Sequence, residues 1–463
     1  MTIPNETIQT DSSVVNVQTL LNESPFTGYQ WRIFALCFLI VLLDGFDTAA
    51  IGFIAPSLMH EWGIDKSHLG PVLSAALFGL AFGALGAGPL ADRFGRKSVL
   101  TGAVVVMGAA SVVSGMADTL EHLTMWRFLT GLGLGAAMPN AVTLMNEYCP
   151  DNKRSFITNC MFCGFPIGSA VGGFFAAWMI PHFGWRSLLI LGGVVPLILA
   201  VVMLFALPES VRFMVLKGYP AERVRKVIAR IAASARNAKS FVLNDNAPST
   251  GHAGPQGLAL VFSRKYLVGT LSLWVTYFMG LVIVYGLVNW MPVLFKDAGV
   301  PSGQAAVIAA LFQLGGVGAI FVGLLMDRWN ANIIIAVGYL LSSVAVAIMG
   351  QVLGGSVGSL VAAVFVAGLL TNAAQSSLQA LAAEYYPTEA RASGVSWMLG
   401  IGRFGGIAGS FLVAELSRRH MELPHVFMVI AVPGVIAALA LLVKNRYAGG
   451  APKSIASHLG GGH

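Results

Sequence analysis

Two stretches of the sequence decide the fold: GPLADRFGRK at residues 88–97 and its shorter copy GLLMDRWN at residues 323–330. The aspartates of these two stretches are 235 residues apart. A second pattern, Glu-x-x-Pro-x-x-x-Arg, occurs at residues 147–154 and again at 384–391, an offset of 237 residues. Two unrelated patterns that return at nearly the same offset predict a chain built from two similar halves.

The composition places these halves in a membrane. Hydrophobic residues make up 56% of the 463 residues and charged residues only 11%, whereas an ordinary soluble domain has roughly 25% charged residues. The 54 glycines suit helices that approach each other closely in lipid. The four cysteines lie in or beside apolar runs and suggest no disulfide framework. We therefore exclude most soluble classes and predict an integral membrane protein.

The number of membrane spans follows from the apolar runs, since a spanning helix needs about 20 mainly apolar residues. Twelve such runs lie near residues 31–56, 68–91, 97–117, 122–147, 154–180, 186–206, 266–295, 303–326, 332–353, 357–384, 391–415 and 423–444. The predicted fold is all-α, with two six-helix bundles. Its predicted parts are an N-terminal tail (1–30), a first bundle (31–206), a linker (207–265), a second bundle (266–444) and a C-terminal tail (445–463). The linker contains basic stretches with helical character and a segment at 244–257 that we expect to be loose.

The distribution of Lys and Arg predicts the orientation. If both termini are cytoplasmic, the inner segments hold 21 of the 28 basic residues, and the outer loops keep only Lys66, Arg186, Lys296, Arg418 and Arg419. The net charge of +7 is then mainly a topology signal, and no nucleic-acid partner is expected. Parallel halves of this kind are a transporter architecture, with the substrate site near the midplane between them.

The repeated charged loops predict a latch on the inner face. Acidic residues in such loops can face helix amino termini or basic side chains, which would hold the two halves together on that side. Charges that merely fix the topology are the alternative. Gly95 is expected in a tight turn, and Asn330, at the equivalent position, tolerates the same backbone region. The latch residues that we predict are Gly88, Asp92, Arg93, Gly95, Arg96, Lys97, Arg154, Asp327, Arg328, Glu384 and Arg391.

These patterns resemble the signature motifs of the major facilitator superfamily, together with RFLTGLGLG at residues 127–135. DGFDTAAIGFIAP at residues 44–56 is similar to the first-span motif of its aromatic acid:proton symporter family. ALFGLAFGALGAGPLADRFGRK (76–97) and GVSWMLGIGRFGG (394–406) strengthen that likeness. The resemblance implies proton-coupled uptake of small aromatic carboxylates, such as 4-hydroxybenzoate and protocatechuate, across a bacterial inner membrane.

A few charges lie inside the spans, where an ionisable group is costly and is by default a functional hypothesis. Asp44 and Asp47 share one face of the first span, and two close carboxylates away from water are suited to exchange a proton. We assign them jointly to proton coupling, with simple pairing to an arginine as the alternative. Arg127, in the fourth span, is expected to partner one of them. Glu147, at the inner end of that span, belongs either to the latch or to a second proton site.

Arg403, at the centre of the eleventh span, is the predicted anchor for the substrate carboxylate, because the guanidinium fork matches a carboxylate with two bonds. Structural pairing is the alternative. The aromatic ring and its hydroxyl need apolar walls and a few neutral polar groups. The predicted contacts are Tyr277, Asn289, Asn372 and Gln375, although packing remains the simpler reading for each of them.

Enzyme-like patterns in the chain have helical or turn contexts that do not suit catalysis. GIGRFG at residues 400–405 lies inside a span, GGSVG at 354–358 in a turn, and the Cys160–Cys163 pair in an apolar helix. We therefore predict a transporter that works as a monomer and needs neither a cofactor nor a metal. A carrier for another organic anion, a sugar or a drug is the nearest alternative, and a transport-like receptor is a more distant one.

Overall fold

The protein is described by a computed structural model that covers residues 14–243, 259–386 and 388–447. Within these ranges, eleven helices are long and apolar enough to cross a membrane, and the eighth span is divided into two shorter helices. The chain is therefore a multi-pass, all-α membrane protein with two bundles of six spans. In chain order the spans are Gly28–Trp62, Leu69–Phe94, Arg96–Ser114, Leu120–Glu147, Arg154–Phe162 with Gly164–Phe183, Trp185–Ala206, Leu267–Asp297, Ser302–Leu314 with Ala319–Arg328, Ala331–Val352, Val357–Tyr385, Thr388–Arg418 and Leu423–Tyr447.

The break in the eighth span departs from the expected continuous run at 303–326. A 3₁₀ turn, Gly315–Gly318, separates its two helices. A Cβ atom at Gly315 would collide with the backbone of Gly368 and Leu369 in the tenth span. The close approach of these two helices is possible only because position 315 has no side chain.

Small residues also bring the second and fourth spans together. A Cβ at Gly79 would meet the carbonyl of Phe128, and a Cβ at Gly131 would meet the carbonyl of Ala76. These contacts explain the glycines of the RFLTGLGLG stretch as packing residues. They also fix the depth of Arg127, which lies one helical turn from Gly131.

The two faces of the bundle differ in what they carry. An even number of spans puts the start of the first span and the end of the twelfth on one face, together with residues 207–243. We call this the linker face, and we call the opposite face, which carries the short turns such as 63–68 and 298–301, the loop face. The sequence rule for basic residues predicts that the linker face is cytoplasmic.

The hydrophobic core has three parts. One cluster lies in the loop-face half of the spans and contains residues of both bundles, with Ile54 and Trp290 fully buried in it. A second cluster, around Leu144, contains residues of the first bundle, of the linker and of the segment before the first span, such as Leu21. A third, around Leu378, contains residues of the second bundle together with Val261 just before it. The bundles therefore share one core at the loop face and have separate cores at the linker face.

The first part of the linker is folded onto the first bundle. The basic helical stretches expected there form two short helices, Val211–Leu216 and Ala221–Ile228, whose apolar side chains join the first-bundle core. Strand β2, Ser240–Val242, then pairs in parallel with strand β1, Val14–Asn16. The segment 244–257, which we expected to be loose, lies outside the described residues.

Candidate functional site

Two carboxylates of the first span occupy the interior of the first bundle. Asp44 and Asp47 are 2% and 1% exposed, so neither has contact with bulk water. Their spacing of three residues places both on one side of the helix, as the sequence indicates. Gly45, between them, lies against the backbone of Phe165 in the fifth span, so that no side chain separates these two helices.

Asp47 is held by Arg127 in a forked ion pair. Arg127 Nη1 lies 2.8 Å from Asp47 Oδ1, and Nη2 lies 2.8 Å from Oδ2 and 3.0 Å from the Asp47 backbone oxygen. Ser111 of the third span donates a further bond of 3.2 Å to Oδ1. Arg127 is fully buried. The sequence left open whether Arg127 pairs with Asp44 or Asp47, and in the structure it pairs with Asp47.

Asp44 has a different environment. Its Oδ1 accepts a hydrogen bond of 3.2 Å from the Thr48 hydroxyl, and among the described residues it forms no ion pair within 4.0 Å. Arg403 of the second bundle interacts with Asp44 electrostatically. Asp44 is therefore the carboxylate whose oxygens are not clamped by a guanidinium.

Arg403 lies at the junction of the two bundles. Its Nη1 donates a bond of 3.0 Å to the Leu80 carbonyl in the second span, and within the described part of the chain it has no carboxylate within 4.0 Å. The phenol groups of Tyr277 and Tyr285, both in the seventh span, are close enough to interact electrostatically with the Arg403 guanidinium. Because a guanidinium has five N–H donors, most of its donor capacity is free for a ligand.

A polar network continues from this point into the second bundle. The Tyr277 hydroxyl lies beside the side-chain amides of Gln375 and Gln379 in the tenth span. Gln375 Nε2 also lies 3.5 Å from the Tyr277 backbone oxygen, and its Oε1 accepts a bond of 2.6 Å from the Tyr339 hydroxyl. The site thus combines a free carboxyl, a free guanidinium and neutral polar groups beside aromatic rings, which suits an aromatic anion.

Comparison with known proteins agrees with this geometry. The sequence matches the Major Facilitator Superfamily over residues 37–352 and 294–458. The chain belongs to the major facilitator superfamily. It is 50% identical over 433 residues to the 4-hydroxybenzoate transporter PcaK of Pseudomonas putida, a match that covers 93% of this chain and 96% of the relative. It is 46% identical to a gallate transporter of Pseudomonas putida, with 93% of this chain and 95% of that protein covered.

Solved structures of superfamily members share the fold. The inward-open xylose transporter XylE from E. coli superposes with a TM-score of 0.70 at 17% identity and covers 92% of this chain and 98% of its own. A bacterial homologue of the human lysosomal transporter Spinster, solved in an inward-facing, occupied conformation, gives 0.70 at 16% identity, with 91% and 98% covered. The named relatives are transporters, not enzymes.

The other predicted substrate contacts bond neighbouring helices. Asn289 Nδ2 donates to Ser410 Oγ at 2.8 Å and points to the Leu73 carbonyl at 3.4 Å. Asn372 Nδ2 donates to the Phe312 carbonyl at 2.9 Å, beside the break in the eighth span. Asn289 Oδ1 is buried without a donor in the described part of the chain, so this amide retains one open acceptor at the junction of the bundles.

The superfamily loop at 88–97 forms a charged cluster on the linker face, within the first bundle. Arg96 Nη1 lies 2.8 Å from Asp92 Oδ1, and its Nε lies 3.7 Å from Glu147 Oε1. Gly95 takes φ +95°, the turn conformation that the sequence indicates. Lys97 donates its backbone N–H to Glu209 Oε1 at 3.1 Å.

Tyr148 links this cluster to the linker. Burial raises the pKa of the Tyr148 phenol well above its usual value, so it remains protonated and donates to the Glu209 carbonyl at 2.5 Å. Sequence reasoning missed Glu209, although it stands in a charged stretch directly after the sixth span.

In the described part of the chain, the remaining predicted latch residues form no bond between the bundles. Arg154 pairs with Asp151 at 2.9 Å, three residues before it in the chain. Arg93, Arg328 and Glu384 are exposed, and Gly88 has open space around it. Pro387 and the side chains of Asp327 and Arg391 lie outside the described residues. A latch between the bundles therefore stays a prediction.

The expectation for Asn330 is wrong. Its backbone has φ −64°, and its side chain accepts the N–H of Asn332 to cap the ninth span. An asparagine can cap a helix through its side chain, so the chain turns here without a left-handed residue. Lys444 lies close by, 2% exposed, with its Nζ 2.7 Å from Asn332 Oδ1 and 4.5 Å from the centre of the Tyr385 ring.

The loop face is closed by polar bonds between the bundles. Lys66 forms an ion pair with Asp297, and Lys296 Nζ donates to the Pro56 carbonyl at 3.0 Å. Deeper in the membrane, Gln313 donates to Ser169 Oγ at 2.9 Å. Together with the shared core, these bonds seal the loop side of the central site.

Proposed function

We propose that this protein carries small aromatic carboxylates, with 4-hydroxybenzoate and protocatechuate as the first candidates, across a bacterial inner membrane together with protons. The observation that carries the proposal is the 50% identity to a 4-hydroxybenzoate transporter over 93% of this chain. The relative named for gallate carries a hydroxylated aromatic acid as well. The shared chemistry of these cargoes is a ring with a carboxylate and at least one hydroxyl.

Arg403 is the proposed anchor for the substrate carboxylate. Among the described residues, only the Leu80 carbonyl accepts a hydrogen bond from the guanidinium, so a ligand can still take a forked pair of charge-assisted bonds. Tyr277 and Tyr285 offer ring surfaces beside it. Because Arg403 belongs to the second bundle and Leu80 to the first, a ligand at this guanidinium lies between the bundles.

Asp44 is the proposed proton carrier, and it couples to the substrate through Arg403. An ionised Asp44 and the substrate carboxylate compete for the same cation, and their like charges repel at short range in a low dielectric. Protonation of Asp44 removes both obstacles, so proton and substrate bind together. Asp47 is less suited to this task, because two guanidinium bonds and the Ser111 hydroxyl already occupy its oxygens.

The proposed cycle is alternating access by rocking of the two bundles. With the linker face cytoplasmic, the sealed loop face and the separate linker-face cores correspond to a state that opens inward. In the outward-open state the Lys66–Asp297 pair would break, and the charged cluster around Arg96 would contact the second bundle. The predicted latch would form in that outward-open state. Because one protein chain contains both bundles, a monomer is sufficient for the cycle.

The experiment that tests the proposal is uptake into proteoliposomes with an imposed inward proton gradient. Labelled 4-hydroxybenzoate or protocatechuate should accumulate above the external concentration, and a protonophore should abolish the accumulation. Gallate, vanillate and benzoate extend the panel, and xylose serves as the sugar control. Accumulation of xylose in place of the aromatic acids would refute the assigned cargo. Binding of an aromatic acid without any accumulation would favour a receptor.

A further inference from the structure

Tyr339 of the ninth span lies directly behind the polar wall of the site. Its side chain is fully buried, and its hydroxyl donates a bond of 2.6 Å to Gln375 Oε1. Gly280 of the seventh span leaves the room for this bond, because a Cβ there would overlap both Gln375 Oε1 and the Tyr339 hydroxyl. A phenylalanine would fill nearly the same volume, so the distinctive contribution of Tyr339 is its hydrogen bond.

This bond determines which end of the Gln375 amide faces the site. A glutamine amide has an acceptor oxygen and two N–H donors that can exchange places by a half turn. With Oε1 occupied by Tyr339, the N–H end is directed towards Tyr277, where Nε2 lies 3.5 Å from the backbone oxygen and beside the hydroxyl. An N–H end beside the Tyr277 hydroxyl favours that oxygen as the acceptor, so the hydroxyl hydrogen stays available for Gln379 or for a ligand.

We propose that Tyr339 is a positioning residue that gives the site its preference for ring-hydroxylated over unsubstituted aromatic carboxylates. The inference rests on the proposed function and extends it to substrate selection. A substrate hydroxyl that bonds Tyr277 continues a chain of hydrogen bonds whose direction Tyr339 sets, whereas benzoate has no group to join that chain. A site built to bond a hydroxyl discriminates against the analogue that lacks it, because its polar groups are then left unpaired.

The test compares binding of 4-hydroxybenzoate and benzoate to the purified full-length protein by titration calorimetry. Tyr339→Phe should raise the Kd for 4-hydroxybenzoate about tenfold, the effect of losing one oriented hydrogen bond, and should change the Kd for benzoate less than about twofold. Gln375→Leu should give the same pattern. The double variant should be no weaker than Gln375→Leu alone, because both changes act through one amide.

Ser342→Ala is the matched control. Ser342 lies one turn from Tyr339 and also forms a buried bond from the ninth to the tenth span, 2.5 Å from Thr371 Oγ1, but in the described part of the chain it forms no hydrogen bond with Gln375. It should leave the ratio of the two Kd values unchanged. Equal weakening of both acids by Tyr339→Phe, the same ratio change in Ser342→Ala, or additive effects in the double variant would overturn the inference. A wild-type protein that binds neither acid would instead refute the proposed function, and this inference with it.

Discussion

The two aspartates of the first span should respond in opposite ways to the same substitution. Asp47→Asn leaves the fully buried guanidinium of Arg127 without its forked partner. Breaking a buried ion pair on one side costs about 3–5 kcal/mol. Asp44→Asn removes the longer-range attraction to Arg403 and alters the bond from Thr48, which an amide oxygen can still accept, so its cost should stay within about 0.5–1.5 kcal/mol.

These costs predict different melting temperatures in detergent solution. For a folded unit of about 200 residues, the size of one six-helix bundle, a loss of 1 kcal/mol in the free energy of unfolding lowers the midpoint of thermal unfolding by roughly 2–4 °C. Asp47→Asn should therefore lower the midpoint of unfolding by roughly 6–20 °C, and Asp44→Asn by no more than about 6 °C. Adding Arg127→Gln to Asp47→Asn should recover part of the loss, because the unpaired charge is removed.

Transport should show the reverse order of importance. Asp44→Asn should keep exchange of labelled for unlabelled 4-hydroxybenzoate but lose accumulation driven by a proton gradient, since the amide cannot carry a proton. The substrate affinity of this variant should also become independent of pH. Equal loss of stability in both variants would contradict the structural assignment of Asp47. Gradient-driven accumulation by Asp44→Asn would contradict the assignment of the proton to Asp44.

Three further predictions concern the anchor, the break and the seal. Arg403→Lys should raise the KM for 4-hydroxybenzoate about tenfold to a hundredfold in proteoliposome uptake, because an ammonium cannot replace the forked bonds. Gly316→Ala should slow uptake at unchanged Kd, because an alanine stiffens the break in the eighth span. Its Cβ would lie 3.5 Å from the nearest neighbouring atom and therefore fits. Gly102→Ala, where a Cβ meets open space, is the control and should transport normally. Lys66→Gln, which removes the ion pair with Asp297, should accelerate hydrogen–deuterium exchange at the loop-face end of the seventh span, and unchanged exchange there would exclude this pair as part of the seal.

The fold follows from the sequence because lipid imposes simple requirements. The chain contains apolar runs long enough to cross a membrane, and its basic residues are collected in alternate loops. Two sequence patterns also return at nearly the same offset along the chain. These features leave few alternatives to twelve spans in two halves. The break in the eighth span could not be predicted in this way. Its residues, Gly-Gly-Val-Gly, are as compatible with a continuous close-packed helix as with a turn, and the choice depends on the tenth span, against which Gly315 lies.

The charged part of the site is also visible in the sequence, because an ionisable residue in an apolar run has few reasons to be there. Asp44, Asp47, Arg127 and Arg403 stand out for that reason. The sequence does not reveal which partners they choose, since pairing depends on rotation and depth across different helices. Tyr339 carries no signal at all: a buried tyrosine in an apolar helix is ordinary, and its role depends on one bond to a residue 36 positions away.

In the proposed cycle, the division of labour between the four charges inside the spans explains how one substitution can affect coupling without affecting the fold. Asp47 and Arg127 both belong to the first bundle, so their pair moves as one body and has the same geometry whichever face is open. Asp44 and Arg403 belong to different bundles, and Arg403 also bonds a backbone carbonyl across the junction at Leu80. Any relative rotation of the bundles must change the distance between Asp44 and Arg403. In the proposed cycle, a proton or a carboxylate that alters the charge at this junction therefore acts on an electrostatic contact whose energy differs between the two states, as coupling requires.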